Sequence, residues 1–154
     1  MSHHHWHGGV TIERPLTGFE TRSLINACDC FVSMHRAEGF GRGLAEAMSL
    51  GRLTLGTGWS GNVDFMTPEN SLLVDYTLRP LKPGEYPHAD GQEWAEPDVR
   101  HAARLVEQVL RSETQGREIA ARGKRDIDLS CSFRSVGVRT LNRLQEICSN
   151  VTGA

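Results

Sequence analysis

The chain has 154 residues, the length of one domain, and its 38% hydrophobic and 23% charged content excludes a disordered polyelectrolyte and leaves room for one core. Seventeen Lys and Arg against nineteen Asp and Glu give a formal charge of -2, so no basic field draws nucleic acid or an anionic membrane, and partners have to be recognised locally. No apolar run approaches the roughly 20 residues that span a bilayer, no secretory signal precedes the first elements, and four cysteines with no CxxC pair fit a reduced compartment, so a cytoplasmic protein is expected.

Residues 1–9, MSHHHWHGG, read as a tag-like segment outside the fold, residues 10–148 as the folded unit and residues 149–154 as a C-terminal tail. From Val10 onward strand and helix patterns alternate. Residues 10–13 are a short β-branched strand before Pro15, and Thr17 with Glu20 forms the capping box of a helix to Ala27. Residues 30–34 are a strand, residues 42–50 a helix ended by Gly51, residues 53–55 a strand and residues 62–66 a short helical turn. Pro68 to Asn70 is a turn, and residues 71–74 are the fourth strand. Such alternation predicts an α/β fold with a parallel sheet of about four strands flanked by helices.

Residues 77–94 hold three prolines and two glycines without periodicity and read as a long loop, functional, mobile or merely covering the sheet. Pro97 then suits the first turn of a helix whose Val99, Ala102, Ala103, Val106 and Leu110 form an apolar stripe. A weaker helix follows over residues 114–126. The last helix covers residues 132–148, with Val136, Leu141, Leu144 and Ile147 or Cys148 facing inward.

The chemistry concentrates where the strand ending at Met34 passes through His35, Glu38, Gly39, Phe40 and Gly41 into the helix that begins at Arg42. A helix N-terminus at the carboxyl end of a parallel strand offers unpaired N–H groups and partial positive charge to an anion, above all a phosphate. Gly39, Gly41 and Gly43 let an anion reach the backbone, yet the same glycines also serve a tight strand-to-helix turn with no ligand, and their spacing is not the dinucleotide G-x-G-x-x-G. Glu46 lies on that helix, where its carboxylate could accept from the vicinal hydroxyls of a ribose, while Glu38 in the turn could hold a second sugar; each also reads as a plain solvated charge. Arg36 and Arg42 are either phosphate contacts or surface arginines. The following loop brings Trp59, Ser60, Gly61 and Asn62 to the same crevice, as backbone donors to a ligand or as a helix cap. His35 either polarises a hydroxyl or packs, and Trp59 either stacks on a ligand or packs.

Glu38 and Glu46 are an E-x7-E pair, and the string HRAEGFGRGLAEAM, followed by TGWSGNVDFM, PENSLLVDY and WAEPD, closely resembles the donor-binding domain of retaining family-four (group 1) glycosyltransferases of the GT-B fold. The resemblance covers residues 10–147. It implies a partial Rossmann-like domain that binds a nucleotide-sugar, with Glu46 on the nucleotide ribose and Glu38 on the donor sugar as the catalytic-site carboxylate. It further implies donor contacts from Gly39, Phe40, Gly41, Arg42, Ser60, Gly61 and Asn62, and no metal or cofactor beyond the donor itself.

The family carries an N-terminal acceptor domain and, earlier in the donor domain, a basic Arg/Lys pair on the pyrophosphate, and nothing upstream of Val10 supplies either. The chain is therefore expected to be the second half of a donor domain. On this resemblance it belongs to a hexosyltransferase acting with retention on a glycan, lipid or other acceptor, is inactive alone, associates into a homo-oligomer, and meets a membrane only through the missing domain. The alternative is a non-catalytic nucleotide-sugar-binding or interaction module derived from such an enzyme. The intact glutamate pair argues against a mere interaction piece.

Overall fold

The computed structural model describes residues 8–152. The tag-like residues 1–7 lie outside that range. The first element is α1 (Gly18–Ala27), started by the expected box: the Thr17 side chain accepts from the Glu20 amide, and the Glu20 carboxylate accepts from the Thr17 amide at 2.9 Å. Then come β1 (Cys30–Ser33), α2 (Arg42–Ser49), β2 (Leu53–Thr57) and a 3₁₀ turn at Gly61–Asp64, followed by β3 (Leu72–Val74). Gly51 ends α2 with φ +69°, a left-handed conformation that glycine adopts without strain.

The parallel sheet has three strands in the order β1-β2-β3, with Val32 opposite Leu55 and Leu55 opposite Leu72. Every residue of the central strand β2 is buried. The strand expected at residues 10–13, the first of the four, does not form. Val10 is 90% exposed, and without a ladder partner or a core to face, a short β-branched stretch has nothing to hold it in strand form. The fold remains α/β, a partial Rossmann-like sheet with helices packed on it.

The residues read as one long loop instead contain a hairpin, β4 (Tyr76–Pro80) paired antiparallel with β5 (Glu93–Pro97), Arg79 opposite Trp94. Only the intervening residues 81–92 are loop. Pro80 ends β4, and Pro83, Pro87, Gly84 and Gly91 fall between the strands, which hid two five-residue strands from a periodicity reading. Pro97 closes β5 rather than opening a helix. Asp98 caps α3 (Val99–Arg111), its carboxylate accepting from the Arg100 and His101 amides.

Two apolar clusters flank the sheet. In one, Leu44, Ala45 and Met48 of α2 meet Phe65, Met66 and Ile127; in the other, Leu53, Leu55, Leu72 and Val74 meet Ala102 and Ala120. Fully burying one such Leu or Met is worth about 1.5–3 kcal/mol. The long helix α4 (Glu113–Cys131) joins both clusters, since it carries Ala120 and Ile127. The stripe of α3 is rotated from the expected one: Ala102, Leu105, Val106 and Val109 pack, whereas Val99, Ala103 and Leu110 are exposed. The last helix, α5 (Phe133–Thr152), runs past Cys148, and its Val136, Leu141, Leu144 and Ile147 are 44–56% exposed rather than inward-facing. Of the other elements α5 packs chiefly on α4, so its stripe meets no core.

Candidate functional site

All three parallel strands deliver their carboxyl ends to one side. There β1 feeds the turn at residues 34–41, β2 feeds Gly58 to Ser60, and β3 feeds the hairpin. Gly41 is the N-cap of α2 with φ +86°, and an added Cβ would sit 3.1 Å from both Asn62 Cβ and Leu44 Cδ1, so the turn is tight as well as left-handed. No side chain caps this helix end, and the first-turn N–H groups therefore keep their donor capacity and the positive end of the dipole.

The turn is fastened to the loop after β2. Ser60 Oγ donates to the Glu38 carbonyl oxygen at 2.6 Å, the Gly61 amide donates to the same oxygen at 3.1 Å, and the Glu38 amide reaches Ser60 Oγ at 3.4 Å. The approach is so close that a Cβ on Gly61 would lie 1.9 Å from the Gly39 carbonyl oxygen. Beneath it, His35 Nε2 lies 3.0 Å from Asn62 Oδ1 and 3.2 Å from the Trp59 carbonyl, and His35 Nδ1 lies 3.3 Å from Ser33 Oγ. The Thr57 hydroxyl donates to the His35 carbonyl at 2.6 Å. These bonds lock the two loops into one floor.

Among the residues expected to meet a ligand, the half-buried Glu38 side chain sits in the turn, and Gly39 is exposed with open space at its Cβ position. Glu46 lies on α2 about 7 Å along the axis from the N-cap. Its carboxylate is 3.7 Å from Arg42 Nε, a loose pair one helical turn apart, with the Arg42 side chain 89% exposed. Phe40 packs its ring on Phe65 with centroids 5.0 Å apart. Asn62 is fully buried, donating to the Thr57 carbonyl at 2.9 Å besides its contact with His35, so its side chain belongs to the floor. The Gly61 amide is likewise engaged, with Glu38. Trp59 packs against Tyr76 at 5.3 Å between centroids.

The hairpin forms a further wall that the sequence reading missed. The Ala95 amide donates to the Arg36 carbonyl at 3.0 Å, two residues before Glu38. The Arg36 guanidinium forks onto Glu96 with two bonds of 2.8 Å and lies over the Trp94 ring, whose other contact is the Arg79 guanidinium. Arg79 in turn forks onto Glu85. These bonds hold Glu96 below its ordinary carboxylate range, chiefly through Arg36, and hold Glu85 at about 2, chiefly through Arg79. Among the described residues no group of three or more His, Cys, Asp or Glu side chains is placed to hold a metal ion, and no helix is long and apolar enough to cross a membrane.

A crystal structure of HepE (Alr3699) from Anabaena in complex with UDP and glucose shares the fold. The match has a TM-score of 0.57 at 18% identity and covers 88% of this chain. The chain spans 30% of the length of that HepE chain. No family model matches the sequence, and no curated protein matches it significantly. What the start of α2 offers chemically is a row of first-turn amides without a side-chain cap, suited to an anion.

Proposed function

We propose that the chain is the nucleotide-sugar-binding part of a retaining GT-B glycosyltransferase of group 1, which moves a hexosyl group from a nucleotide-sugar to a glycan, lipid or other acceptor. The observation that carries this reading is the uncapped N-terminus of α2 between Glu38 in the turn and Glu46 on the helix, with the turn pinned to Ser60 and Gly61. The donor phosphates lie at the first-turn amides, Glu46 accepts from the ribose hydroxyls, and Glu38 accepts from hydroxyls of the sugar to be transferred. The exposed Arg42 adds positive charge beside the phosphates. As the glycosidic bond breaks, charge builds on the departing phosphate, and preorganised amides with about half a unit of positive helix charge stabilise it without a metal. The complex of HepE with UDP and glucose, a nucleoside diphosphate and a hexose on a shared fold, supports the substrate class.

Glu46→Ala tests the reading. It removes a charged acceptor from a partly exposed helix position whose protein contact is a loose pair, so folding survives, while UDP affinity falls by about 1.5–3 kcal/mol. Glu38→Ala leaves UDP affinity near that of the parent and lowers affinity for the intact sugar donor. Isothermal titration of both variants with UDP and UDP-glucose measures this. Unchanged UDP affinity in a folded Glu46→Ala protein overturns the assignment of Glu46.

A further inference from the structure

The turn that carries Glu38 is held by two separate elements, the loop after β2 and the hairpin. The loop acts with Ser60 and Gly61, through the Glu38 carbonyl oxygen. The hairpin acts through the Ala95 amide on the Arg36 carbonyl, the Arg36 fork on Glu96 and the Arg36 guanidinium 4.8 Å from the centre of the Trp94 ring. The hairpin side is not a single contact. Arg36, Glu96, Arg79 and Glu85 alternate in charge along a continuous chain, and Arg79 lies 4.4 Å from the same ring centre.

Stability alone is a poor account of this arrangement. The Arg36 and Glu96 side chains are 48% and 41% exposed, and a pair so open to water contributes little to stability. That small contribution is what remains after the entropy of holding long side chains in one geometry is subtracted. The Trp94 indole N–H is also buried with no acceptor among the described residues, although both guanidinium groups lie at its ring. What the arrangement does supply is geometry, because a bidentate fork and a ring face together fix the direction of the Arg36 side chain and hence of the backbone entering the turn.

We propose that Arg36, clamped by Glu96 and Trp94 of the hairpin, is a positioning residue that sets the Glu38 turn against the Ser60 loop and thereby governs binding of the donor sugar rather than of the nucleotide. This rests on the reading that Glu38 meets the sugar. The hairpin acts through backbone placement and touches no reacting atom.

The test uses Glu96→Gln, which removes the charge of the fork, Trp94→Leu, which removes the ring face, and Trp94→Phe, which keeps a ring face. The reporter is exchange of the Gly61 amide hydrogen, which is bonded to the Glu38 carbonyl and to no residue of the Arg36–Glu96–Trp94 group. Exchange is expected to quicken by about tenfold in Glu96→Gln and Trp94→Leu and to stay near the parent rate in Trp94→Phe, with Ile127 in the core unchanged in all three. UDP-glucose affinity falls about tenfold in the first two variants while UDP affinity holds. Unchanged Gly61 exchange overturns the brace, whatever the ligand data show. Faster exchange with equal losses for UDP and UDP-glucose, or with no loss for either, overturns the sugar-positioning role. If the parent chain binds UDP-glucose no more tightly than UDP, the sugar-binding reading of Glu38 fails, and the exchange data still decide whether the brace exists.

Discussion

Ser60 holds the Glu38 carbonyl oxygen by a 2.6 Å hydroxyl bond while its own backbone sits at φ +79° and ψ −154°, a region that only glycine enters freely. The residue combines a conformational cost of about 1–3 kcal/mol with a bond worth about 0.5–1.5 kcal/mol. Ser60→Ala keeps the cost and loses the bond, so it is expected to be less stable than the parent by about 1 kcal/mol. Ser60→Gly loses the same bond but sheds the strain, and it is expected to match or exceed the parent in urea denaturation. A Ser60→Gly protein less stable than Ser60→Ala would show that the strain is absent.

Gly39 and Gly61 look alike in the sequence, as two glycines placed to approach a donor, and the structure separates them. A Cβ on Gly61 would meet the Gly39 carbonyl oxygen at 1.9 Å and the Gly39 carbonyl carbon at 2.5 Å, both backbone atoms, whereas a Cβ on Gly39 meets nothing within 4 Å. Gly61→Ala therefore has to push the two loops apart, at about 1–3 kcal/mol or more, and is expected to lose UDP binding with the displaced turn. Gly39→Ala is expected to fold like the parent. Thermal melts with UDP titrations check both, and a Gly61→Ala protein with parental stability contradicts the close approach.

The same contrast marks what could be read in advance. The Thr17 box and the Gly51 stop rest on residues within a few positions of one another, and each parallel strand is a short apolar run, so the sequence carries them openly. The sequence offers Asn62 as a backbone donor or a helix cap and does not show that its side chain is a buried strut, because its partners Thr57 and His35 are set by how two loops pack. Arg36 and Glu96 stand 60 positions apart, and no local pattern links them. The one available signal was an Arg and a Glu flanking short runs with Trp94 between prolines. The stripe of α5 has helical spacing, but periodicity says only that a face is apolar and not that a core lies opposite it.

Acid should release the hairpin brace in a defined window. The Arg79 fork and the Lys82 amide hold Glu85 at about 2, down from an ordinary 4.5, so its ionised form favours the folded arrangement. That contribution is complete above about pH 4.5 and is lost as the pH falls toward 2. Glu20 in the capping box of α1 is lowered to the same value, chiefly by Arg14, and titrates in the same window. Following the Trp94 indole resonance is expected to reveal a transition below about pH 4.5 that Glu85→Gln reduces and Glu85→Gln combined with Glu96→Gln removes, since Glu96 beside the same ring is lowered as well, while the α1 amides still respond through Glu20. An indole signal flat across that window in the parent protein contradicts the hairpin assignment.

Purified by itself, the chain is expected to associate and to transfer no sugar. Val136, Leu141, Leu144 and Ile147 leave an apolar face on α5 that is 44–56% exposed, and β1 is an edge strand whose Val32 is 53% exposed. Apolar faces and open strand edges both favour self-association, so light scattering at micromolar concentration should give a dimer or larger species, and Leu141→Glu combined with Leu144→Lys should shift it toward monomer. Transfer fails for a separate reason. The described residues supply one wall of the crevice, with amides at α2 and the two glutamates, and nothing among them encloses an acceptor or excludes water from the departing phosphate. Orientation of two substrates and electrostatic stabilisation in a water-excluded site are the largest sources of rate enhancement, and both need the opposite wall. Incubation with UDP-glucose and a panel of sugar and lipid acceptors should therefore release no UDP above the uncatalysed rate. Transfer by the purified chain would show that these 154 residues suffice, and a stable monomer would show that the α5 face needs no cover.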